Sequence, residues 1–293
     1  MSAKTSVPTF NELLRPVTQA DESFLRIEPR KGFFRLDLAD VWAFRELLYF
    51  LVWRDVSVRY KQTIIGVAWA ILQPVLTMLI FTLVFGHFAA IPSDGLPYSI
   101  FTFAALLPWN CFSQAISRSG VSLVSDSNLV KKVYFPRLII PLAGVASPLV
   151  DFLVSFVALL AMMVWYHVPL RLTVLSLPLF LFLGLLAALA AGIWLAPLNA
   201  KYRDVGHAIP FLTQVLMFAS PVTYPLSIVP QKWRLIYGLN PLVGVIEGFR
   251  WALLGKARPD FGVMALSTLI VIGTLLTGIV FFKRTERSFS DVL

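Results

Sequence analysis

Charge is scarce in this chain. Asp, Glu, Lys and Arg make up 14% of 293 residues, where a soluble domain carries about 25%. Cysteine is nearly missing too. Cys111 stands alone, which excludes an intramolecular disulfide, and its place in an apolar run makes it a small buried hydrophobe. The histidines His87, His167 and His207 lie in separate segments with no metal-ligand spacing, so no metal site is expected. There is no Gly-x-x-x-x-Gly-Lys-Ser/Thr loop to cradle phosphates, so the chain does not bind ATP in that way. No nucleophile–base constellation stands out, and no enzyme activity is expected of the chain by itself.

What the chain has in abundance is apolar surface, at 58% of residues. Ile64–Phe88 runs for 25 residues without Asp, Glu, Lys or Arg. As a helix it covers about 37 Å, more than the roughly 30 Å hydrocarbon core of a bilayer. Five further segments are expected to cross: Tyr98–Ser117, Leu138–Tyr166, Thr173–Leu198, Ile209–Val229 and Phe261–Phe282. Six crossings put both termini on one side. With the N-terminus inside, 19 Lys and Arg fall on inner segments and 6 on outer ones, which favours cytoplasmic N- and C-termini. The net charge of +9 then suits anionic inner-leaflet lipid rather than nucleic acid. Residues 1–39 form a polar arm. Its first apolar stretch starts near Val41 and is broken by Arg45 and Glu46, so no signal peptide is expected. Residues 40–293 form one membrane domain.

The helices are interrupted in informative places. The clean apolar part of the fifth crossing, Ile209–Val222, is too short to cross before Pro221 and Pro225 break it. Tyr224–Leu239 and Pro241–Leu254 read as short helices dipping into the outer leaflet. Irregular backbone at membrane depth is tolerated where protein buries it or water reaches it. Such segments fit a substrate route or an amphipathic lid on lipid. In the first crossing Trp69, Gln73 and Thr77 share one face, continued by Phe81 and Phe85; in the fifth, Gln214 and Phe218 lie one turn apart. Amides and aromatics on one stripe suit a sugar polymer, and they also suit ordinary helix packing. Gly184, Ala188, Gly192 and Ala196 form a small-residue stripe for close helix approach, within the protomer or across a dimer. Asp151 is the ionisable residue most clearly inside a crossing, so a functional role is the default, with Arg118 or Arg203 as candidate partner. A second intramembrane carboxylate is missing, which argues against a proton relay.

Two inner segments read as docking elements. One is Asn128, Leu129, Val130, Lys131, Lys132, Val133, Tyr134, Phe135, Pro136 and Arg137; the other is Asn199–Gly206, with Tyr202, Arg203 and Asp204. Their aromatics are more than a solvated basic loop needs. Upstream, Val41–Lys61 is expected to lie as a helix in the inner interface, with Trp42 and Trp53 at headgroup depth and Asp55 paired to Arg59.

Several of these stretches strongly resemble the type-2 ABC transporter permeases that export polysaccharides. They are Val52–Pro74, Lys132-Val-Tyr-Phe-Pro-Arg-Leu-Ile-Ile-Pro141, Leu198-Asn-Ala-Lys-Tyr-Arg-Asp-Val205, Ser220-Pro-Val-Thr-Tyr-Pro225 and Asn240–Trp251. The resemblance runs from about Asp40 to the C-terminus and is closest to O-antigen exporters, with teichoic-acid and capsule exporters as relatives. It implies an all-α polytopic protein of the bacterial inner membrane, with an amphipathic interface helix and re-entrant outer helices between spans five and six. It implies a homodimer joined to two ABC ATPase subunits, which bind the ATP and Mg; the permease itself holds no cofactor. The Asn128–Arg137 region would carry a coupling helix, and spans one and five would line the channel. The cargo would be a glycan on a polyprenyl diphosphate, whose headgroup Arg54, Arg59 and Lys61 are placed to meet near the lipid surface. Inner-leaflet anchoring is the rival role for those cations, and a small-molecule drug exporter is the rival function.

Overall fold

The computed structural model describes residues 38–61, 63, 66–255, 259–286 and 289. The polar arm lies outside the described residues apart from its last two positions. All regular structure among the described residues is helical: α1 (Leu38–Ala43), α2 (Arg45–Tyr60), α3 (Ala68–Phe81), α4 (Tyr98–Ser125), α5 (Ser127–Lys132), α6 (Ile139–Ala146), α7 (Pro148–Trp165), α8 (Leu177–Lys201), α9 (Asp204–Phe218), α10 (Gln231–Tyr237), α11 (Pro241–Leu254) and α12 (Phe261–Glu286). Short 3₁₀ turns cover Leu172–Ser176 and Leu226–Ile228.

Four helical stretches are long and apolar enough to cross a membrane: Ala68–Phe88, Ile139–Trp165, Leu172–Lys201 and Phe261–Glu286. The other two expected crossings take different forms. Helix α4 is 28 residues long, carries Asn110, Gln114 and Arg118, and is enclosed by its neighbours. Helix α9 has 15 residues, about 22 Å of rise, and stops at Phe218.

Proline sets several of the breaks. Pro148 opens α7 directly after α6, with Ser147 as the joint, so Ile139–Trp165 runs as a jointed rod. The expected single helix over Val41–Lys61 breaks at Phe44 into α1 and α2. Tyr224–Leu239 is helical only over Gln231–Tyr237, because Pro225 and Pro230 stop helix on either side of the 3₁₀ turn. Pro241–Leu254 forms as expected. Asn240 caps it by accepting from the Leu242 N–H at 3.1 Å, and Gly255 ends it at φ 64°.

Helix α4 is the central post, buried nearly end to end among α3, α6, α7, α8 and α11. Lipid tails are as apolar as the side chains, so packing rather than hydrophobic transfer holds such helices together, and small residues matter most. A Cβ on Gly192 would fall 2.1 Å from Ser119 Oγ, and one on Gly184 would fall 3.2 Å from Val245. Ala188 and Ala196 are fully buried. The small-residue stripe of α8 therefore packs inside the protomer, against α4 and α11.

Contacts sort the loops into two ends. At one end Arg54 pairs with Asp126, and Arg137 donates to the Glu286 carbonyl and lies over the Phe289 ring. At the other, Ser227 donates to Asp94, Tyr98 donates to the Thr223 carbonyl, and Thr173 donates to the Ala252 carbonyl. The first end gathers the segments expected inside and the second those expected outside.

Candidate functional site

Three neighbouring helices carry polar pairs at one-turn spacing: Trp69 and Gln73 on α3, Asn110 and Gln114 on α4, Asp151 and Ser155 on α7. They converge on a cavity of about 390 Å³ that Arg59 and Tyr60 of α2 also line. Pro74 helps to build it. Lacking an N–H, it leaves the Ala70 carbonyl without its helical donor, and Ser155 Oγ donates there instead at 2.5 Å.

Asp151 sits in the first turn of α7, after Pro148, where the helix dipole favours a carboxylate. It is near the basic end rather than at mid-depth. Its partners are Arg59 and Tyr60, which both touch its carboxylate, and not Arg118 or Arg203. Burial pushes the Arg59 guanidinium below its ordinary pKa and nearby Arg118 adds to this, while Tyr60 and Asp55 oppose it. Burial raises the Tyr60 phenol, so its O–H stays on and donates to Asp151.

The three interface cations separate. Arg54 bonds Asp126 at 2.8 Å and Asp55 at 2.9 Å, and the Asp126 hydrogen bond raises its pKa. The expected Asp55–Arg59 pair does not form, because Arg54 takes Asp55 and Arg59 reaches across to α7. Lys61 is exposed at the end of α2. Only Arg59 of the three lines the cavity.

The expected channel stripe is also divided. Trp69 and Gln73 line the cavity. Thr77 turns back to donate to the Gln73 carbonyl at 2.9 Å, and Phe81 and Phe85 meet edge to face. Gln214 and Phe218 are exposed on α9. Helices α3 and α9 both pack on α4, and one face of α3 is uncovered, with Leu76, Leu79 and Ile80 exposed.

The first docking segment is an anchored ridge. Val130 and Phe135 point inward and are buried, while Leu129, Pro136 and Arg137 are half-buried. Asn128, Lys131, Lys132, Val133 and Tyr134 point out, with Tyr134 84% exposed. Tyr202, Arg203 and Asp204 are exposed in the turn between α8 and α9, with Lys201 Nζ over the Tyr202 ring.

At the opposite end a second polar cluster closes the break after α9. Arg250 of α11 donates to the carbonyls of Pro221 and Val222 at 2.7 and 3.0 Å, bonds Glu247 at 2.9 Å and lies 3.7 Å from the Phe101 ring centroid. Asn240 Nδ2 donates to the Ala219 carbonyl and to Ser220 Oγ. The irregular backbone is thus satisfied by protein.

Tyr60, Asn110, Gln114 and Ser155 were not singled out from sequence as a site. The signal was present: all three polar helix pairs are four-residue spacings in the sequence, but which faces converge is not visible there.

A chain that is helical throughout its described regular structure and carries four apolar rods of bilayer length is an integral membrane protein. Residues 46–254 match the ABC-2 type transporter family, and the chain belongs to it. It is 30% identical over 253 residues to an O-antigen export system permease protein, RfbA, of Myxococcus xanthus, covering 85% of this chain and 96% of that one. It is 25% identical over 252 residues to the protein of the same name from Klebsiella pneumoniae. The polysialic acid transport protein KpsM of Escherichia coli is 26% identical over 243 residues, 80% of this chain and 92% of KpsM.

Proposed function

We propose that this chain is the transmembrane subunit of an ATP-driven exporter that moves a lipid-linked polysaccharide, O antigen before other glycans, from the cytoplasm across the bacterial inner membrane. One observation carries the reading: the likeness to the O-antigen permease of Myxococcus xanthus extends over 96% of that protein. The likeness to KpsM supports capsular polysaccharide as the second reading.

In this scheme two copies pair, and α3 and α9 supply the uncovered faces along the shared seam. The chain crosses six times with both termini cytoplasmic. Helix α4 and the α9-to-α11 region complete the count, with the Arg250 cluster supporting the broken outer part of the fifth crossing. ATP and Mg belong to two separate ATPase subunits, which dock on the ridge around Tyr134 and on the Tyr202–Asp204 turn. The ridge is clamped to the bundle through Val130, Phe135 and Arg137, so a push on it reaches α4, α6 and α12. Helices α1 and α2 lie along the lipid surface, with Trp42, Tyr49, Phe50 and Trp53 exposed to it. Arg59 meets the diphosphate of the lipid carrier. Its planar fork of donors suits phosphate oxygens better than an ammonium does. Arg54, already tied to Asp126 and Asp55, positions α2.

The test is loss and restoration of export in the source bacterium. Removing the chain should strand completed glycan on its lipid carrier at the cytoplasmic face, and the wild-type gene should return it to the surface. Surface glycan that persists at normal amount without the chain overturns the reading. Whether the stranded polymer belongs to lipopolysaccharide or to capsule decides between the two cargoes.

A further inference from the structure

The cavity between α3, α4 and α7 carries more polar capacity than the fold uses. Gln73, Asn110 and Gln114 all line it, and none of these amide side chains hydrogen-bonds to the rest of the described chain. Beside them the Arg59 Nε and both terminal nitrogens are buried without a hydrogen bond, and the Asp151 ion pair engages just one of the terminal nitrogens. Buried polar groups left unpaired are unfavourable, as at Arg59, and the exposed or half-buried amides beside it have donors and acceptors free for water or a ligand. The volume of about 390 Å³ exceeds the need of a few waters and falls among small-molecule sites, roughly 300–1,000 Å³.

The donor set selects the ligand. Each amide is both donor and acceptor, as is a hydroxyl. The Trp69 indole gives an apolar wall on which a ring can lie, and the Arg59 guanidinium suits a phosphate oxygen. Three amides, an indole and a guanidinium around one cavity match a phosphate that bears a hydroxylated ring. The lining comes from α2, α3, α4, α7 and the segment between α2 and α3, and no residue of α9 contributes to it.

We propose that this cavity is a sugar-binding site, one per protomer, which holds the first sugar of a lipid-anchored glycan while its phosphate meets Arg59. The ligand's identity rests on the export reading; the site itself rests on the convergence of the three amides. Gln73, Asn110 and Gln114 read the hydroxyls, and Asp151, which Tyr60 also touches, holds Arg59 against the cavity.

The experiment uses the full permease with its ATPase in lipid nanodiscs. It compares equilibrium binding of a short polyprenyl diphosphate carrying one hexose with the same lipid lacking the sugar. Wild type should bind the sugar-bearing lipid about tenfold more tightly, the worth of one or two net hydrogen bonds. Asn110→Ala/Gln114→Ala, and separately Gln73→Ala at an exposed position that does not support the core, should shrink that preference below about threefold and leave binding of the sugar-free lipid unchanged. Equal binding of the two lipids by wild type overturns the proposal, as does full preference in both variants. A free oligosaccharide that binds as tightly as the lipid-linked sugar overturns the lipid-anchored assignment. Should the assembled complex transport glycan in vesicles yet bind both lipids alike, the cavity proposal falls and the export reading stands. Should it discriminate the lipids and transport no glycan, the outcome is the reverse.

Discussion

Arg250 on α11 donates to the carbonyl of Val222, 28 residues earlier, at 3.0 Å. The same nitrogen reaches the Pro221 carbonyl, and the other terminal nitrogen bonds Glu247. One buried guanidinium therefore satisfies two carbonyls in the break after α9 and neutralises a buried carboxylate. Arg250→Ala should lower stability by about 3–5 kcal/mol, since it strands Glu247 and both carbonyls together. Thermal unfolding in detergent checks this, and Arg250→Ala/Glu247→Leu should recover part of the loss. A single variant as stable as wild type would remove the clamp from the account.

Ser155 and Pro74 should be coupled. Ser155→Ala leaves the Ala70 carbonyl without a donor, an expected loss of about 1–3 kcal/mol. Pro74→Ala returns an N–H to that carbonyl, so Ser155→Ala should be milder in its background. A double-mutant cycle measures this; strict additivity would mean that the proline's missing donor is not what Ser155 serves.

Gly192 tests the α4–α8 seam. Gly192→Ala drives a methyl into Ser119 and should destabilise by about 1–3 kcal/mol as overpacking does. Ser119→Gly in the same chain should relieve it. The readout is the unfolding midpoint of the purified permease.

The ridge separates folding from coupling. Tyr134→Ala with Lys131→Glu and Lys132→Glu should leave the permease folded and monodisperse, because those side chains are exposed, yet abolish co-purification of the ATPase. Phe135→Ala empties a buried position and should lose stability by about 3–5 kcal/mol. A Tyr134/Lys131/Lys132 variant that retains its ATPase partner and stimulated hydrolysis would place the docking surface elsewhere.

Much of this was legible before any coordinates. Ile64–Phe88, Leu138–Tyr166, Thr173–Leu198 and Phe261–Phe282 each correspond closely to an observed long rod. The stop at the Pro221–Pro225 break and the helix Pro241–Leu254 were also readable. The joint at Phe44 and the shortness of α10 were not, because helix continuation there depends on neighbours as well as on local propensity. Val130 and Phe135 look like their docking neighbours in sequence; burial alone separates them from Lys131 and Tyr134.

Residence in a bilayer, the positions of the apolar rods and the proline breaks were determined by sequence alone. Transfer into hydrocarbon and the missing proline N–H act residue by residue and need no partner. The tertiary structure decided that Asp151 meets Arg59 and Tyr60, that the α8 stripe packs inward and that three amides share one cavity. Each of these depends on how helices rotate about their axes and on contacts between residues far apart in the chain, which no local pattern encodes.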